Sequence, residues 1–264
     1  MDSAMDFTNE SLLDSIRVVM VNGKEGANIG AAARALKTMG LSQLYLVNPP
    51  DLQTHETYAL AVGAEDILES AKIYSTVHDA VADCHLVFGT SARLRTFETP
   101  LLTPKEMEEP IRRAYQADQK IAFLFGRETN GLTNEELDVC HFHIQIPTNP
   151  SFPSLNLGAA IQVITYELRG YALKWKDSSQ QRTQDHSPSK EKATSEELQG
   201  VINHVEATLL RLGFLDPKNP KYLMTRLKRL TMRAQLDRSE VNLIRGICSP
   251  VHHTFTRENT EKQS

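Results

Sequence analysis

An α/β fold with a mostly parallel sheet, followed by a linker and a small helical domain, is what the sequence predicts, and three observations predict it. Short β-branched or apolar runs alternate with helical patterns over residues 16–175, as in sheets covered by crossover helices on both faces. The stretch KDSSQQRTQDHSPSKEKATS at 176–195 holds no large aliphatic or aromatic side chain, so it cannot bury enough surface to offset its ordering entropy. Three helical patterns then close the chain. The expected organisation is a tail at 1–15, the α/β domain at 16–175, a flexible linker at 176–195, a helical domain at 196–250 and a tail at 251–264.

Element by element, IRVVMV at 16–21 reads as a buried strand. A helix over 28–39 ends at Gly40, and Asn28 is its N-cap candidate. Strand 44–47 is closed by NPP; helix 56–62, edge strand 73–74, helix 76–81 and strand 84–89 follow. A helix over 103–116 opens with Thr103-Pro104 and has Glu106 at capping-box spacing. Strand 120–125 precedes a short helix at 133–137, with Thr133 and Glu136 again at that spacing. Strand 142–146 is the last, and a helix runs from about 154 to 174 with Ser154 as its cap. The C-terminal patterns cover about 195–212, capped by Thr194 and Glu197, then 220–235, begun by Pro220, and 239–247. Ligands of such sheets bind beyond the carboxyl ends of strands, which singles out the loops 22–30, 89–96, 126–132 and 147–156.

A net charge of −4 confines any nucleic-acid contact to a local patch. Three scattered cysteines argue for a reducing compartment without a disulfide framework. The acidic start MDSAMDFTNESLLDSIR lacks the apolar core of a signal peptide, and no apolar run reaches membrane-spanning length. A soluble cytoplasmic protein without membrane partners is expected.

Several loops carry chemistry. In NGKEGANIGAAARALKTMG the glycines match neither the G-x-G-x-x-G dinucleotide fingerprint nor a Walker loop, which argues against a dehydrogenase. The run of alanines makes a thin helix that can approach another backbone, interrupted by Arg34, which spacing alone leaves as a solvated surface arginine. Thr90-Ser91-Ala92 directly follows a buried strand, where small residues let a ligand touch backbone, and Arg93 and Arg95 add positive charge. Gly126 follows another strand, with Glu128 beside it. SFPSLNLGAA at 151–160 begins as a proline-stiffened loop and ends as an apolar helix, with Asn156 a poor helix former at the junction. Cys140-His141-Phe142-His143 lacks zinc spacing; on a strand, the histidines would share one face and Cys140 and Phe142 the other, a structural arrangement. KYLMTRLKRLTMRAQ would place Leu223, Met224, Leu227 and Leu230 on one helix face and Arg226, Arg229 and Arg233 opposite, a basic stripe suited to phosphate.

Taken together, NIGAAAR at 28–34, FGRETNGL at 125–132 and the run from Ile146-Pro to SLNL at 154–157 resemble, in order, the three motifs of the SPOUT class of S-adenosylmethionine-dependent RNA methyltransferases, in its SpoU branch of ribose 2'-O-methylating enzymes. RALKTMGL, LVNP, GTSAR and GLTNEEL look closer still to bacterial tRNA enzymes of that branch acting on cytidine or uridine at nucleotide 32. The resemblance covers about 16–174 well and LDRSEVNLIRGI loosely. It implies a C-terminal trefoil knot in the sheet domain, a homodimer with cofactor sites near the subunit interface, and C-terminal helices that contact tRNA or support the dimer.

By that resemblance Thr90, Ser91 and Ala92 would lie along S-adenosylmethionine, Gly126 and Ile146 against its adenine or ribose, and Ser154 and Leu155 would complete its pocket. Arg34 would act at the target 2'-hydroxyl with Ser154 and Asn156 nearby, and Glu128 would order its loop. Arg34, Arg93, Arg95, Arg226, Arg229 and Arg233 would face RNA. The chemistry suits these roles. Displacement of a methyl from a sulfonium needs alignment and stabilisation of a developing alkoxide, and no metal. A guanidinium can supply fixed charge or bind the neighbouring phosphate but is no plain general base, so the proton goes to phosphate or water. Methylation of another tRNA position or of ribosomal RNA, and an inactive RNA-binding relative, are the competing readings.

Overall fold

Alternating side chains along the first strand, β1 (Ile16–Val21), divide the core in two. Ile16, Val18 and Met20 join one buried cluster, and Val19 and Val21 join another on the opposite face. The same division runs through β2 (Gln43–Val47), β4 (Leu86–Thr90) and β6 (Ile121–Phe125). With β3 (Lys72–Tyr74), β5 (Leu101–Leu102) and β7 (Phe142–Ile144) they build a seven-stranded sheet of order β3-β2-β1-β6-β4-β7-β5. Every pairing in it is parallel. Here the structure is a computed structural model, and it describes residues 10–91, 100–178, 191–218 and 222–261.

Helices cover both faces. α1 (Glu10–Asp14), α2 (Gly26–Met39), α3 (His55–Leu60) and α4 (Glu65–Glu69) precede α5 (Val77–Val81) and α6 (Glu108–Gln116). α7 (Asn134–Leu137) and α8 (Leu157–Ser178) complete the sheet unit. Ile29, Ala32, Ala33 and Leu36 of α2 and Ile161, Ile164 and Leu168 of α8 pack on one face around Phe88 and Phe123, whose rings stack 4.7 Å apart. Val77, Ala80 and Val81 of α5 and Leu137 of α7 cover the other. Full burial of each valine, leucine, isoleucine or phenylalanine among them contributes about 1.5–3 kcal/mol.

Local chemistry explains the boundaries. α2 stops at Gly40, whose φ of 81° is the left-handed conformation that caps helices. The expected capping boxes form: Glu106 Oε2 accepts the Thr103 N–H at 2.7 Å, and Thr133 and Glu136 exchange side-chain-to-backbone hydrogen bonds of 3.2 and 2.7 Å. The first of these opens a 3-10 turn, Pro104–Met107, before α6.

Other expectations need correction. Of the stretch expected as an N-terminal tail, 10–14 is helical, because Leu12 and Leu13 bury themselves in the core. α4 and β5 were not anticipated, being a five-residue helix and a two-residue edge strand too short for any period. Of the expected linker, 179–190 lie outside the described residues, α8 continues to Ser178, and 191–194 are ordered. Ala193 is buried and donates its N–H to the Leu236 carbonyl at 2.9 Å, so that short stretch docks through its backbone where side-chain composition gave no sign. Cys140 and Phe142 fall in opposite clusters, since the strand begins only at Phe142 and its alternation does not reach back to Cys140.

The chain divides into two compact units, Met1–Ser187 and Pro188–Ser264. The second holds α9 (Ser195–Arg211), α10 (Leu223–Ala234) and α11 (Arg238–Glu261) around Leu198, Val201, Ile202, Met232 and Val241. The Thr194–Glu197 capping box forms. Pro220 lies outside the described residues, and α10 starts at Leu223. α11 runs through Pro250 into the expected tail at 251–264. The buried side of α10 carries Met232 with Met224 against it, while Leu230 is 52% exposed. Its apolar face is therefore rotated from the expected one. Arg226 and Arg233 are exposed and Arg229 is half-buried.

Candidate active site

The carboxyl ends of β4, β6 and β7 open onto a cavity of about 640 Å³. Its size is that of a pocket for one small organic ligand. Of the residues expected along a cofactor, Thr90, Ser91, Gly126, Ile146, Ser154 and Leu155 line it; Ala92 lies outside the described residues. Glu128 and Asn156 line it too. Buried Phe125 and Ile144 form apolar wall.

Each wall is held by local structure. Thr90 ends β4 with its hydroxyl donating to the Leu124 carbonyl at 2.9 Å, and the Ser91 N–H reaches the Ile144 carbonyl at 3.0 Å. These bonds keep the first wall at the strand tips. The second is the loop 126–132. Arg127 and Gly131 form an antiparallel bridge, with Gly131 at φ 66°, and Arg127 grips Glu136 of α7 through two 2.9 Å bonds. Gly126 must be glycine, because a Cβ there would collide with the Gly131–Leu132 backbone. The third is the loop 146–156, where the Thr148 hydroxyl donates to the Pro153 carbonyl at 3.0 Å and Asn149 Oδ1 accepts the Ser151 N–H at 3.0 Å.

One amide ties the walls together. Asn28, 4% exposed, donates from Nδ2 to Glu128 Oε1 at 3.0 Å and to Glu25 Oε2 at 3.1 Å. Its Oδ1 accepts from Asn156 Nδ2 at 3.0 Å, and Asn156 Oδ1 accepts the Ala159 N–H at 3.3 Å. The carboxylates fix the orientation of the first amide, and the helix N–H fixes that of the second. Partial burial pushes the Glu128 carboxyl up. Hydrogen bonds from its own backbone N–H, from Asn28 and from the N–H groups of Lys24 and Glu25 outweigh that and hold it below the usual range. Glu128 is thus an ionised anchor between the second loop and the start of α2.

Asn28 and Asn156 correct two expectations. Asn28 is not the cap of α2, which begins two residues earlier, but a buried bridge. Asn156, not Ser154, caps α8, a position where asparagine is favoured. The sequence signal for the bridge was an asparagine inside a small-residue turn, which helix capping explained equally well.

Arg34 is exposed on α2, six residues beyond Asn28, and is not among the cavity-lining residues. That offset is about 9 Å of helix rise and ~120° of rotation. Arg93 and Arg95 lie outside the described residues. His141 is buried, its Nδ1 accepting the Val87 N–H at 3.1 Å, and burial followed by nearby His85 pushes its pKa down to about 4. It is a neutral structural histidine. The cysteines are free and buried, and among the described residues no group of three or more His, Cys, Asp or Glu could hold a metal ion.

Residues 15–166 match the model of the SpoU rRNA methylase family, and 196–262 match the C-terminal domain of tRNA methyltransferase TrmJ. The chain is 46% identical over 239 residues to the tRNA (cytidine/uridine/adenosine-2'-O-)-methyltransferase TrmJ of Pseudomonas aeruginosa, covering 89% of this chain and 93% of that one. It is 43% identical to the tRNA (cytidine/uridine-2'-O-)-methyltransferase TrmJ of Pectobacterium atrosepticum, covering 92% and 99%. The crystal structure of TrmJ from Z. mobilis superposes with a TM-score of 0.76 at 30% identity, covering 89% and 98%. A probable methylase family protein from Haemophilus influenzae gives 0.58 at 40% identity, covering 93% and 99%.

Proposed function

Because the chain belongs to the SpoU methylase family, and within it to the TrmJ methyltransferases, we propose that it transfers the methyl group of S-adenosylmethionine to the ribose 2'-hydroxyl of a cytidine or uridine at nucleotide 32 of tRNA. The observation that carries this reading is the single cavity that collects Thr90, Ser91, Gly126, Ile146, Ser154 and Leu155 beside Glu128 and Asn156.

These residues fit the cofactor's chemistry. Apolar wall suits an adenine, polar strand tips suit ribose and amino-acid groups, and the carboxylates of Glu25 and Glu128 on the lining favour a cation. When bound, S-adenosylmethionine supplies an already activated methyl. The chain's own residues supply alignment. Asn28 locks the second and third walls together, and Asn156 holds the head of α8 where the ribose must approach. Glu128 is already fully engaged in this lock, so we assign it positioning and not proton transfer. Arg34 reaches the ribose or its phosphate from outside the cavity, supplying fixed positive charge.

The same reading includes a threaded chain. The last strand, β7, sits between β4 and β5 and not at an edge of the sheet, which agrees with the knot that the family resemblance implies. It also includes a homodimer, and a tRNA-facing role for Arg226, Arg229 and Arg233. No described helix is long and apolar enough to cross a membrane.

Tritiated methyl transfer to total tRNA, followed by mapping of methylated riboses, tests the proposal. The expected result is a label at nucleotide 32 that disappears in Arg34→Ala while calorimetric S-adenosylmethionine binding survives. A label on ribosomal RNA alone would overturn the substrate, and full-rate transfer by the variant would overturn the role of Arg34.

A further inference from the structure

The ring of Phe152 stands at the mouth of the cavity with 76% of its surface exposed. The backbone that carries it is held in a tight turn. The Phe152 N–H donates to the Asn149 carbonyl at 2.9 Å, the Ser151 N–H donates to Asn149 Oδ1, and the Thr148 hydroxyl closes the turn on the Pro153 carbonyl. Pro150 and Pro153 fix φ on either side. The chain therefore holds a large apolar face in water, four residues from Asn156, in a turn that leaves it little freedom. A pre-ordered aromatic face of this kind is what stacks on an unpaired nucleobase.

We infer that Phe152 is the platform on which the base of the target nucleotide stacks, placing its ribose at the Asn156 end of the cavity; this rests on the RNA-methylating reading above. The cavity has a buried inner end and an exposed outer one. Phe125 and Ile144, 0% and 1% exposed, form the inner wall at the strand ends, whereas Phe152 lies on the rim. A base with its ring on the rim keeps its Watson–Crick edge out of the reaction, as suits a transfer that modifies only the sugar. Stacking accepts any base, so Phe152 sets position and not base identity.

Phe152→Ala, Phe152→Trp and Phe152→Leu in the full chain test this, and an exposed position leaves the fold intact. Phe152→Ala should lower kcat/KM for tRNA by about 10- to 100-fold, mostly through KM, with calorimetric S-adenosylmethionine affinity unchanged. Phe152→Trp should restore activity, and Phe152→Leu, apolar but without a π-face, should not. A single-stranded RNA loop should quench the Phe152→Trp emission beyond the change seen for Trp175 in the wild type, and S-adenosylmethionine alone should not. Wild-type kcat/KM in Phe152→Ala, rescue by leucine, or lost cofactor affinity overturns the platform. No tRNA methylation by the wild type would overturn the parent reading, while the quenching measurement still decides whether Phe152 meets a base.

Discussion

Asn28 engages both ends of its side-chain amide inside the site: two N–H groups on two carboxylates, and its oxygen on a second asparagine. Hydrogen bonds to charged groups contribute about 1.5–3 kcal/mol. Asn28→Ala should therefore lower kcat/KM by roughly 10- to 100-fold and cost about 1–3 kcal/mol in urea unfolding. Asn28→Asp should be worse, since it sets a third carboxylate between Glu25 and Glu128. A variant ranking with aspartate milder than alanine would contradict the bridge. At this scale the sequence was legible in residue identity but not in partnership. Glu128, Asn156 and Asn28 all stood inside recognisable motifs, yet their contacts span 100 and 128 residues of chain. No local pattern encodes such a separation. The two partial misreadings, Asn28 as a cap and Asn156 as a helical residue, came from applying local rules to side chains with distant obligations.

Among elements, α2 decides how closely the first motif approaches its neighbours. Gly26 and Gly30 face α3, and a Cβ on Gly30 would collide with the Thr57 carbonyl oxygen. The alanine run expected to approach another backbone meets α8, where a Cβ on Gly158 would come within 2.9 Å of Ala31 Cβ, while the contact of the two glycines with α3 needed the structure. Gly30→Val should force α2 and α3 apart and destabilise the chain by about 1–3 kcal/mol, seen as a lower Tm with weakened S-adenosylmethionine binding. Unchanged thermal stability would show that the contact is not tight. Strand positions were legible because buried parallel strands are continuous apolar runs, as in IRVVMV and IAFLF. The edge strand β5 and the orientation of α10 were not. Two residues carry no period, and a helix rich in both leucine and arginine offers several faces whose choice depends on the partners it packs against.

For the whole molecule, the sheet unit carries the cavity, and the helical unit carries the exposed Arg226 and Arg233. The order of strands brings the ends of β1, β6, β4 and β7 side by side although they are separated in sequence by whole helices, and that adjacency turns four loops into one site. Alternation of elements announced the class of fold; it could not announce the order 3-2-1-6-4-7-5, which is set by tertiary packing. The central claim is that this cavity holds the methyl donor. Ser154 lines the cavity from an exposed position, so a bulky replacement fills the space without burdening the core. The most direct measurement is a calorimetric titration of S-adenosylmethionine into the wild type and Ser154→Trp, with Tm taken on both. The account predicts one site per chain in the wild type, and at least a tenfold weaker affinity (about 1.4 kcal/mol) at unchanged Tm in the variant. Equal affinity in the two proteins would place the cofactor elsewhere and contradict the account.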